Sequence, residues 1–233
     1  MEILCIIPAR SGSKGLLHKN IKLFNNLPLL SHSIVHGLNS KYKMRIIITT
    51  DSEQYAKIAR EHGAEVPFIR PKEISEDLST DIEFIQHAIK WLKDNENYTP
   101  DIILQLRPTY PTRKVEILDE CLDLFIENYD NYDSLRTVIK YEKSPYKMYT
   151  IDNNTLNPLF KEVNSIKEPY NQVRQVLPET YLHNGYIDIL KTSILKNNTI
   201  TGDKIYPYIM DKEEYHDIDT IEDWEKAELL LNS

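Results

Sequence analysis

The chain has 233 residues, of which 41% are hydrophobic and 27% are charged, and its formal net charge is −8. That length and composition predict one domain with a sizeable core, and they exclude a disordered tail and a fibrous chain. The acidic balance argues against nucleic acid as a partner, so an anionic ligand would need a local cluster of positive charge. No apolar stretch approaches the roughly 18 residues of a membrane span. We therefore expect no membrane partner. Cys5 and Cys121 lack metal or redox spacing and read as buried apolar residues, so we expect a cytoplasmic protein.

Short apolar runs alternate with stretches of helical spacing in the first half of the chain. Strands are predicted at 3–7, 44–50, 66–69 and 101–106. Helices are predicted from Asp51 to Gly63, from a Thr80–Glu83 capping box onward, and over 115–125. This alternation is typical of an α/β fold, with a mostly parallel sheet covered by helices on both faces. Ligands of such sheets bind beyond the carboxyl ends of the strands, which directs attention to the loops at 8–20, 50–52, 70–80 and 107–113.

The alternation breaks between about 141 and 184, a stretch with four prolines and little periodicity. We interpret residues 141–184, the inserted segment, as an excursion within one domain that spans 1–233. Regular structure resumes with predicted strands at 186–190 and 205–210 and a last helix at 221–231.

The loop after the first strand, Arg10 to Gly15, combines small residues with two cations, and Lys19 and Asn20 extend it. Glycines let a backbone approach a ligand closely, so that successive N–H groups can point at phosphate oxygens. The glycine spacing is not that of a Walker loop. Two interpretations stay open from composition alone: a phosphate-binding loop, and a tight turn with solvated charges.

Several segments together resemble the motifs of the acylneuraminate cytidylyltransferases, the CMP-sialic acid synthetases and their relatives. In chain order they are 7–15 with 19–21, 50–52, Arg70-Pro71 with Asp77, 106–113, 174–178, Asn184-Gly185 and 217–219. The resemblance covers nearly the whole chain. It implies a Rossmann-like fold in which the inserted segment forms a small dimerisation subdomain, and therefore a homodimer.

The same resemblance implies a reaction, in which a nine-carbon (nonulosonic) acid sugar attacks the α-phosphate of CTP to give a CMP-sugar and pyrophosphate. It assigns nucleotide binding to a set of residues in the first third of the chain: Ala9, Arg10, Ser11, Gly12, Ser13, Lys14, Lys19, Asn20, Arg70 and Asp77. Of these, Arg10 and Lys19 are expected to be catalytic, because their charge would stabilise the leaving pyrophosphate.

Asp217 and Asp219 stand two residues apart before the last helix. In an extended segment both carboxylates fall on one side and can face one hard cation, and the resemblance makes them ligands of Mg²⁺. The alternative is that Asp219 caps the helix together with Glu222. Asp219 is also a candidate catalytic base for the sugar hydroxyl, in competition with a metal-bound hydroxide.

The resemblance assigns sugar binding to residues of the second half: Gln105, Arg107, Thr109, Lys147, Arg174, Asn184 and Gly185. Lys147 and Arg174 lie in the inserted segment, and the resemblance implies that such cations can reach the partner subunit's site. The alternative is ordinary surface charge. Arg107 departs from the family, which commonly has Gln there, as do Tyr110, Thr112 and Leu78. An arginine facing the sugar favours a legionaminic-type acid over N-acetylneuraminate, whereas an arginine that turns outward would carry no such meaning.

Two other functions remain open. One is a nucleotidyltransferase for another acid sugar, such as a 3-deoxy-octulosonate, or for another nucleotide. The other is a non-catalytic nucleotide-binding subunit, against which the retention of Lys14, Lys19, Asp217 and Asp219 argues.

Overall fold

The computed structural model describes residues 1–12 and 15–231. Its strands, in chain order, are β1 (Ile3–Pro8), β2 (Leu23–Phe24), β3 (Leu27–Pro28), β4 (Arg45–Thr49), β5 (Ile102–Gln105), β6 (Ser134–Lys140), β7 (Tyr149–Asp152), β8 (Thr155–Pro158), β9 (Glu162–Val163), β10 (Ile166–Lys167), β11 (Tyr181–Lys191) and β12 (Ile205–Met210). The α-helices are α1 (Leu29–Asn39), α2 (Glu53–Glu61), α3 (Asp81–Glu96), α4 (Val115–Glu127) and α5 (Ile221–Leu231). Short 3₁₀ turns occur at Lys19–Ile21, Lys72–Ile74, Pro145–Lys147, Pro169–Asn171, Arg174–Val176, Thr192–Asn197 and Lys212–Glu214.

Six strands form the central sheet, in the order β12-β6-β11-β5-β1-β4. β1 pairs in parallel with both β4 and β5, and β12 pairs in parallel with β6. Only β11, in the described chain, runs antiparallel within this sheet, to β5 on one side and to β6 on the other. The expected mostly parallel α/β sheet is therefore confirmed, and the carboxyl ends of β1, β4 and β5 meet at one edge.

Helices cover both faces of the sheet, which explains why the first strand is apolar at every position. Cys5 and Ile7 pack with residues of α1, α2 and α4, whereas Leu4 and Ile6 pack with residues of α3. Successive side chains of a strand point to opposite faces, so a strand between two helical layers needs no polar residue. α5 is held by a separate cluster in which Trp224 contacts the ring of Phe24.

The strand predicted at 66–69 is wrong. In this region the sheet receives only a single bridge between Ile47 and Glu65. Phe68 is buried because its ring packs on His87 and Trp91 of α3, with centroids 4.7 and 5.5 Å apart. The apolar run thus serves side-chain burial under a helix and not strand pairing.

Helix boundaries follow local capping chemistry. The capping box of Thr80 and Glu83 at the start of α3 is confirmed. α2 begins at Glu53, two residues after the predicted start at Asp51, because its N-cap is Ser52, whose side chain accepts from the Tyr55 N–H. α1 and β6 were not predicted.

Between β6 and β11, residues 141–180 leave the sheet and form two small hairpins, β7–β8 and β9–β10. The last four residues of the inserted segment, 181–184, belong to β11. Several large apolar side chains here are exposed, among them Ile151 and Leu156 on β7–β8 and Phe160 between the two hairpins. Among the residues described, no helix has the length and apolar character that crossing a membrane requires.

Candidate active site

An open cleft of about 490 Å³ lies at the carboxyl edge of the sheet. The ends of β1 and β5, the start of α3 and the approach to α5 all contribute to its wall, as expected for an α/β fold. Its lining residues are Pro8, Arg10, Gly15, Lys19, Asn20, Arg70, Ser79, Asp81, Phe84, Arg107, Pro108, Thr109 and Asp219. Four of these side chains are cationic in a chain of net charge −8, so the cleft is where positive charge is collected.

The loop after β1 is anchored by its own polar groups. The N–H and Oγ of Ser11 donate to the carboxylate of Asp51 at 2.7 and 2.8 Å. Asn20 donates from Nδ2 to the Arg10 carbonyl at 3.0 Å, and the Ala9 N–H donates to the carbonyl of Thr49. Ser11, Asn20 and Ala9 therefore shape the loop. A Cβ at Gly12 would meet no described atom within 4 Å, and the predicted nucleotide residues Ser13 and Lys14 lie outside the described residues.

Gly15 fits the loop because it has no side chain. A Cβ at this position would lie 2.6 Å from the carbonyl oxygen of Asp219. The loop thus touches the backbone of the approach to α5, and any larger residue would push the two apart.

Arg10 stands on the rim of the cleft. Its Nη1 lies 3.0 Å from Oδ1 of Asp77, and both side chains remain partly exposed. Arg10 and Asp77, both predicted to bind the nucleotide, are therefore brought together. An exposed pair of this kind contributes little to stability, so Arg10 can turn to an anionic ligand at small cost.

Lys19 is the more buried of the two described cations of the loop, with a side chain only 10% exposed against 31% for Arg10. Its Nζ donates to the Ile218 carbonyl at 2.7 Å and to Oδ1 of Asp219 at 2.9 Å. Asp219 itself is 70% exposed at its side chain. Two of the three predicted catalytic residues, Lys19 and Asp219, are therefore in direct contact.

Asp217 and Asp219 differ in environment. Oδ1 of Asp217 is buried and has no hydrogen-bond partner in the described part of the chain. Burial raises the pKa of Asp217, an effect that the Thr109 hydroxyl partly offsets. The alternative in which Asp219 caps α5 with Glu222 is wrong, because Asp223 accepts from the N–H and the hydroxyl of Thr220 at that helix start.

Arg70 also lines the cleft. Its guanidinium donates to Oγ1 of Thr49 at 3.0 Å and to the Thr49 carbonyl, and it lies 4.9 Å from the ring centre of Phe84. Burial lowers the pKa of Arg70 to about 10, although Asp51 and Asp81 favour its charge. Arg70 therefore stays charged at neutral pH, with a rigidly held position.

Arg107 neither points freely into the cleft nor turns outward. Its Nη2 donates to Oδ2 of Asp81 at 2.7 Å, and its Nη1 donates to Asp188 and to the Gly185 carbonyl. Gly185 has a φ of +70°, and a Cβ there would lie 2.8 Å from Arg107 Nη1. The guanidinium thus bridges α3 and β11 while its remaining surface lines the cleft.

Behind Arg107 lies a fully buried carboxylate, Asp188. It also receives Nη1 of Arg136 and Nε2 of His183, both at 2.7 Å. Burial alone would raise the pKa of Asp188, but His183, Arg107 and Arg136 outweigh it and hold that pKa well below its usual range. The carboxylate is therefore ionised and fixes both guanidiniums.

The other residues predicted to bind the sugar are distributed unevenly. Thr109 lines the cleft, whereas Gln105 is fully buried and donates from Nε2 to Asp81 at 2.9 Å. Asn184 is used inside the fold, where its Oδ1 accepts from the Thr137 hydroxyl at 2.6 Å. Within the described chain, Lys147 and Arg174 line no part of this cleft. Lys147 donates to the Gln172 carbonyl, and Arg174 lines a separate cavity of about 340 Å³ in the inserted segment.

Two functional residues escaped the sequence reasoning. Asp81 is the first residue of α3, directly after the candidate loop at 70–80, and its position next to the N-cap Thr80 was the available signal. Arg113 is buried with no carboxylate partner among the described residues, and its Nη2 donates to the carbonyl of Arg107 at 2.9 Å. No short sequence pattern predicts such a contact.

Comparison with known proteins gives a consistent result. A sequence model of a family described as cytidylyltransferase matches residues 4–229. The chain is 31% identical to a pseudaminic acid cytidylyltransferase of Campylobacter jejuni, over 99% of this chain and 96% of that protein. It is 33% identical to a CMP-N,N'-diacetyllegionaminic acid synthase of the same species, over 99% and 95%. An N-acylneuraminate cytidylyltransferase of Escherichia coli is 35% identical over 97% of this chain, which spans 51% of that protein.

A solved structure of similar fold is titled CMP:2-keto-3-deoxy-manno-octonic acid synthetase complexed with CTP. It superposes with a TM-score of 0.69 over 100% of this chain and 99% of that chain, at 14% identity. This likeness supports the Rossmann-like fold and, at that identity, the fold alone.

Proposed function

This chain is a member of the cytidylyltransferase family, and from that premise we propose that it joins CTP to a nonulosonic acid, giving a CMP-sugar and pyrophosphate. The observation that carries the proposal is the contact of Lys19 with Asp219 in a cleft that also gathers Arg10 and Arg70. Cations at one end of a cleft and carboxylates beside them suit the transfer of a charged nucleotidyl group. Three relatives named for nonulosonic acids support the acceptor class.

In the proposed reaction the anomeric hydroxyl of the sugar attacks the α-phosphorus. A sugar O–P bond forms, the bond to the bridging oxygen of pyrophosphate breaks, and the hydroxyl proton passes to a base. Arg10 and Lys19 would neutralise the charge that develops on pyrophosphate. Two of the three Nζ donors of Lys19 are engaged in the described chain, which leaves one for a phosphate oxygen.

The carboxylate pair fits a magnesium ion. The unpartnered buried Oδ1 of Asp217 is a polar atom that a cation would satisfy, and the exposed Asp219 lies beside it. Two carboxylates suit Mg²⁺, since this ion keeps waters and phosphate oxygens among its ligands. Bound there, Mg²⁺ would supply charge neutralisation and polarise the α-phosphate. Asp219 is the accessible carboxylate for the hydroxyl proton.

We also propose that the inserted segment mediates a homodimer. The hairpins expose apolar side chains to water, which is unfavourable, and a two-fold contact between subunits would bury them. Arg174 would then serve the partner's site.

The case for a legionaminic-type acceptor depends on Arg107 facing the sugar. Because Arg107 is paired with Asp81 and Asp188, the proposal names the class of nonulosonic acids and no single member.

The test is pyrophosphate release over a matrix of four nucleoside triphosphates and several nine- and eight-carbon acid sugars. We expect turnover with CTP and nonulosonic acids. Preference for a 3-deoxy-octulosonate or for another nucleotide would replace the proposal with the second candidate function. Nucleotide binding without turnover of any pair would show a non-catalytic subunit.

A further inference from the structure

Asp81 is a carboxylate in the wall of a cleft that otherwise collects cations. It is the first residue of α3, where an acidic side chain commonly assists the helix start. The capping groups of this start are supplied by Thr80 and Glu83, however. Asp81 instead faces the sheet, and its side chain is 35% exposed along the cleft.

Both hydrogen bonds to Asp81 end on the same oxygen. Oδ2 accepts from Gln105 Nε2 at 2.9 Å and from Arg107 Nη2 at 2.7 Å. In the described part of the chain Oδ1 accepts none. Gln105 is fully buried and Arg107 is anchored on Asp188, so the two donors fix the plane of the carboxylate. Oδ1 is thereby held as a rigid acceptor.

Charge balance explains how a carboxylate persists near anionic substrates. Arg107 and Arg136 supply two positive charges, and Asp81 and Asp188 supply two negative charges, in one connected group. The formal charges of these four side chains therefore sum to zero. The group repels an anionic sugar far less than a lone carboxylate would, and it still presents an acceptor atom.

We propose that Oδ1 of Asp81 selects the acceptor sugar by accepting a hydrogen bond from one of its N–H or O–H groups, an acylamido N–H or a ring or side-chain hydroxyl. This inference rests on the proposed function. Gln105 and Arg107 are positioning residues, because they act on the sugar through Asp81. A sugar without a donor at that point leaves a charged acceptor unpaired on binding, which sites built for hydrogen bonding reject strongly.

The test is a cycle that varies the enzyme and the sugar together. Acceptors lacking one hydroxyl, or carrying an N-methylated acylamide, are compared with the parent nonulosonic acid in wild type and in Asp81→Asn. In wild type we expect one analogue to lose on the order of 10²-fold or more in kcat/KM. In Asp81→Asn that loss should shrink to a few-fold. The amide oxygen would face Arg107 and Gln105 and its NH₂ the cleft, so the acceptor atom becomes a donor.

A matched control is Glu83→Gln, in the same helical turn and outside the cleft lining. Glu83→Gln should leave the ranking of acceptors unchanged. In both Glu83→Gln and Asp81→Asn, kcat/KM for CTP should stay within a few-fold of the wild-type value. Equal losses in wild type and Asp81→Asn would overturn the inference. The inference would also be overturned if no analogue lacking a single donor lost more than a few-fold in kcat/KM with wild type. That measurement does not depend on the folding of any variant. Failure of the proposed function is distinct, since wild type would then turn over no nonulosonic acid with CTP.

Discussion

Lys19 and Asp219 are 200 residues apart in the chain, yet Nζ of one lies 2.9 Å from Oδ1 of the other. The contact ties the loop after β1 to the approach to α5. It also orients a cation and a carboxylate before any substrate arrives, and such preorganisation is the main source of electrostatic catalysis. Both side chains therefore belong to one functional unit.

Replacing Lys19 tests that unit. Lys19→Ala should lower kcat by about 10²-fold or more, because a preorganised charge on the leaving group is lost. Lys22→Ala is the matched control, since Lys22 lies over the ring of Trp224 and lines no part of the cleft in the described chain. Steady-state kinetics with varied CTP measures both variants, and unchanged kinetics for Lys19→Ala would reduce the loop to a structural turn.

Metal dependence follows from the carboxylate pair. Asp217→Asn should abolish most turnover, because a neutral carboxamide is a poorer ligand of Mg²⁺ than a carboxylate. It should also abolish any rise in melting temperature that Mg²⁺ produces in wild type, a measurement that does not depend on activity. A chelator should stop wild-type turnover and added Mg²⁺ should restore it. Full activity of Asp217→Asn would refute the metal assignment.

Acid should weaken the group around Asp188. Its pKa is lowered in the folded protein, so its stabilising contribution is present above the unfolded pKa of about 4 and is lost as pH falls toward the native value. Asp188→Asn should cost about 3–5 kcal/mol at pH 7, since two guanidiniums lose their buried partner. Urea unfolding from pH 7 to pH 3 should show that difference shrinking.

The control for this experiment is an exposed ion pair, Lys140–Glu179. Glu179→Gln should leave the free energy of unfolding close to that of wild type at every pH, because water screens an exposed pair. If Asp188→Asn behaved like this surface variant, the buried group would contribute no stability.

Assembly is tested on the hairpin β7–β8. Ile151 and Leu156 face each other across its strands and are 75% and 59% exposed. We expect wild type to sediment as a dimer and Ile151→Asp/Leu156→Asp to sediment as a monomer, because charges oppose burial of that surface. Leu38→Asp, an exposed leucine of α1, should leave the dimer intact. A monomeric, active wild type would contradict the proposal.

Mixing two inactive variants gives a sharper result. If Arg174 acts across the interface, mixed dimers of Asp217→Asn and Arg174→Ala chains contain one intact site and regain activity. Lack of recovery after demonstrated subunit exchange would place Arg174 in its own subunit's site.

Local chemistry made part of the molecule predictable. The apolar run of β1 and the Thr80–Glu83 box act within a few residues, and both are found as expected. β6 was missed because it carries Arg136, a polar residue that is buried only by virtue of Asp188 on another strand. The partners of Arg107 could not be predicted either, because Asp81 and Asp188 are distant in the sequence. The direction of an arginine side chain depends on the carboxylates that the fold brings to it.

Gly15 and Lys19 both rest on the backbone of residues 218 and 219. During translation the parallel strands β1, β4 and β5 emerge long before that support, and domains fold from the N-terminal side as they are made. A nascent chain therefore carries the loop while neither its backbone contact nor its two aspartates yet exist. The loop therefore reaches the arrangement described above only once residues 217–219 have been synthesised and have folded against it.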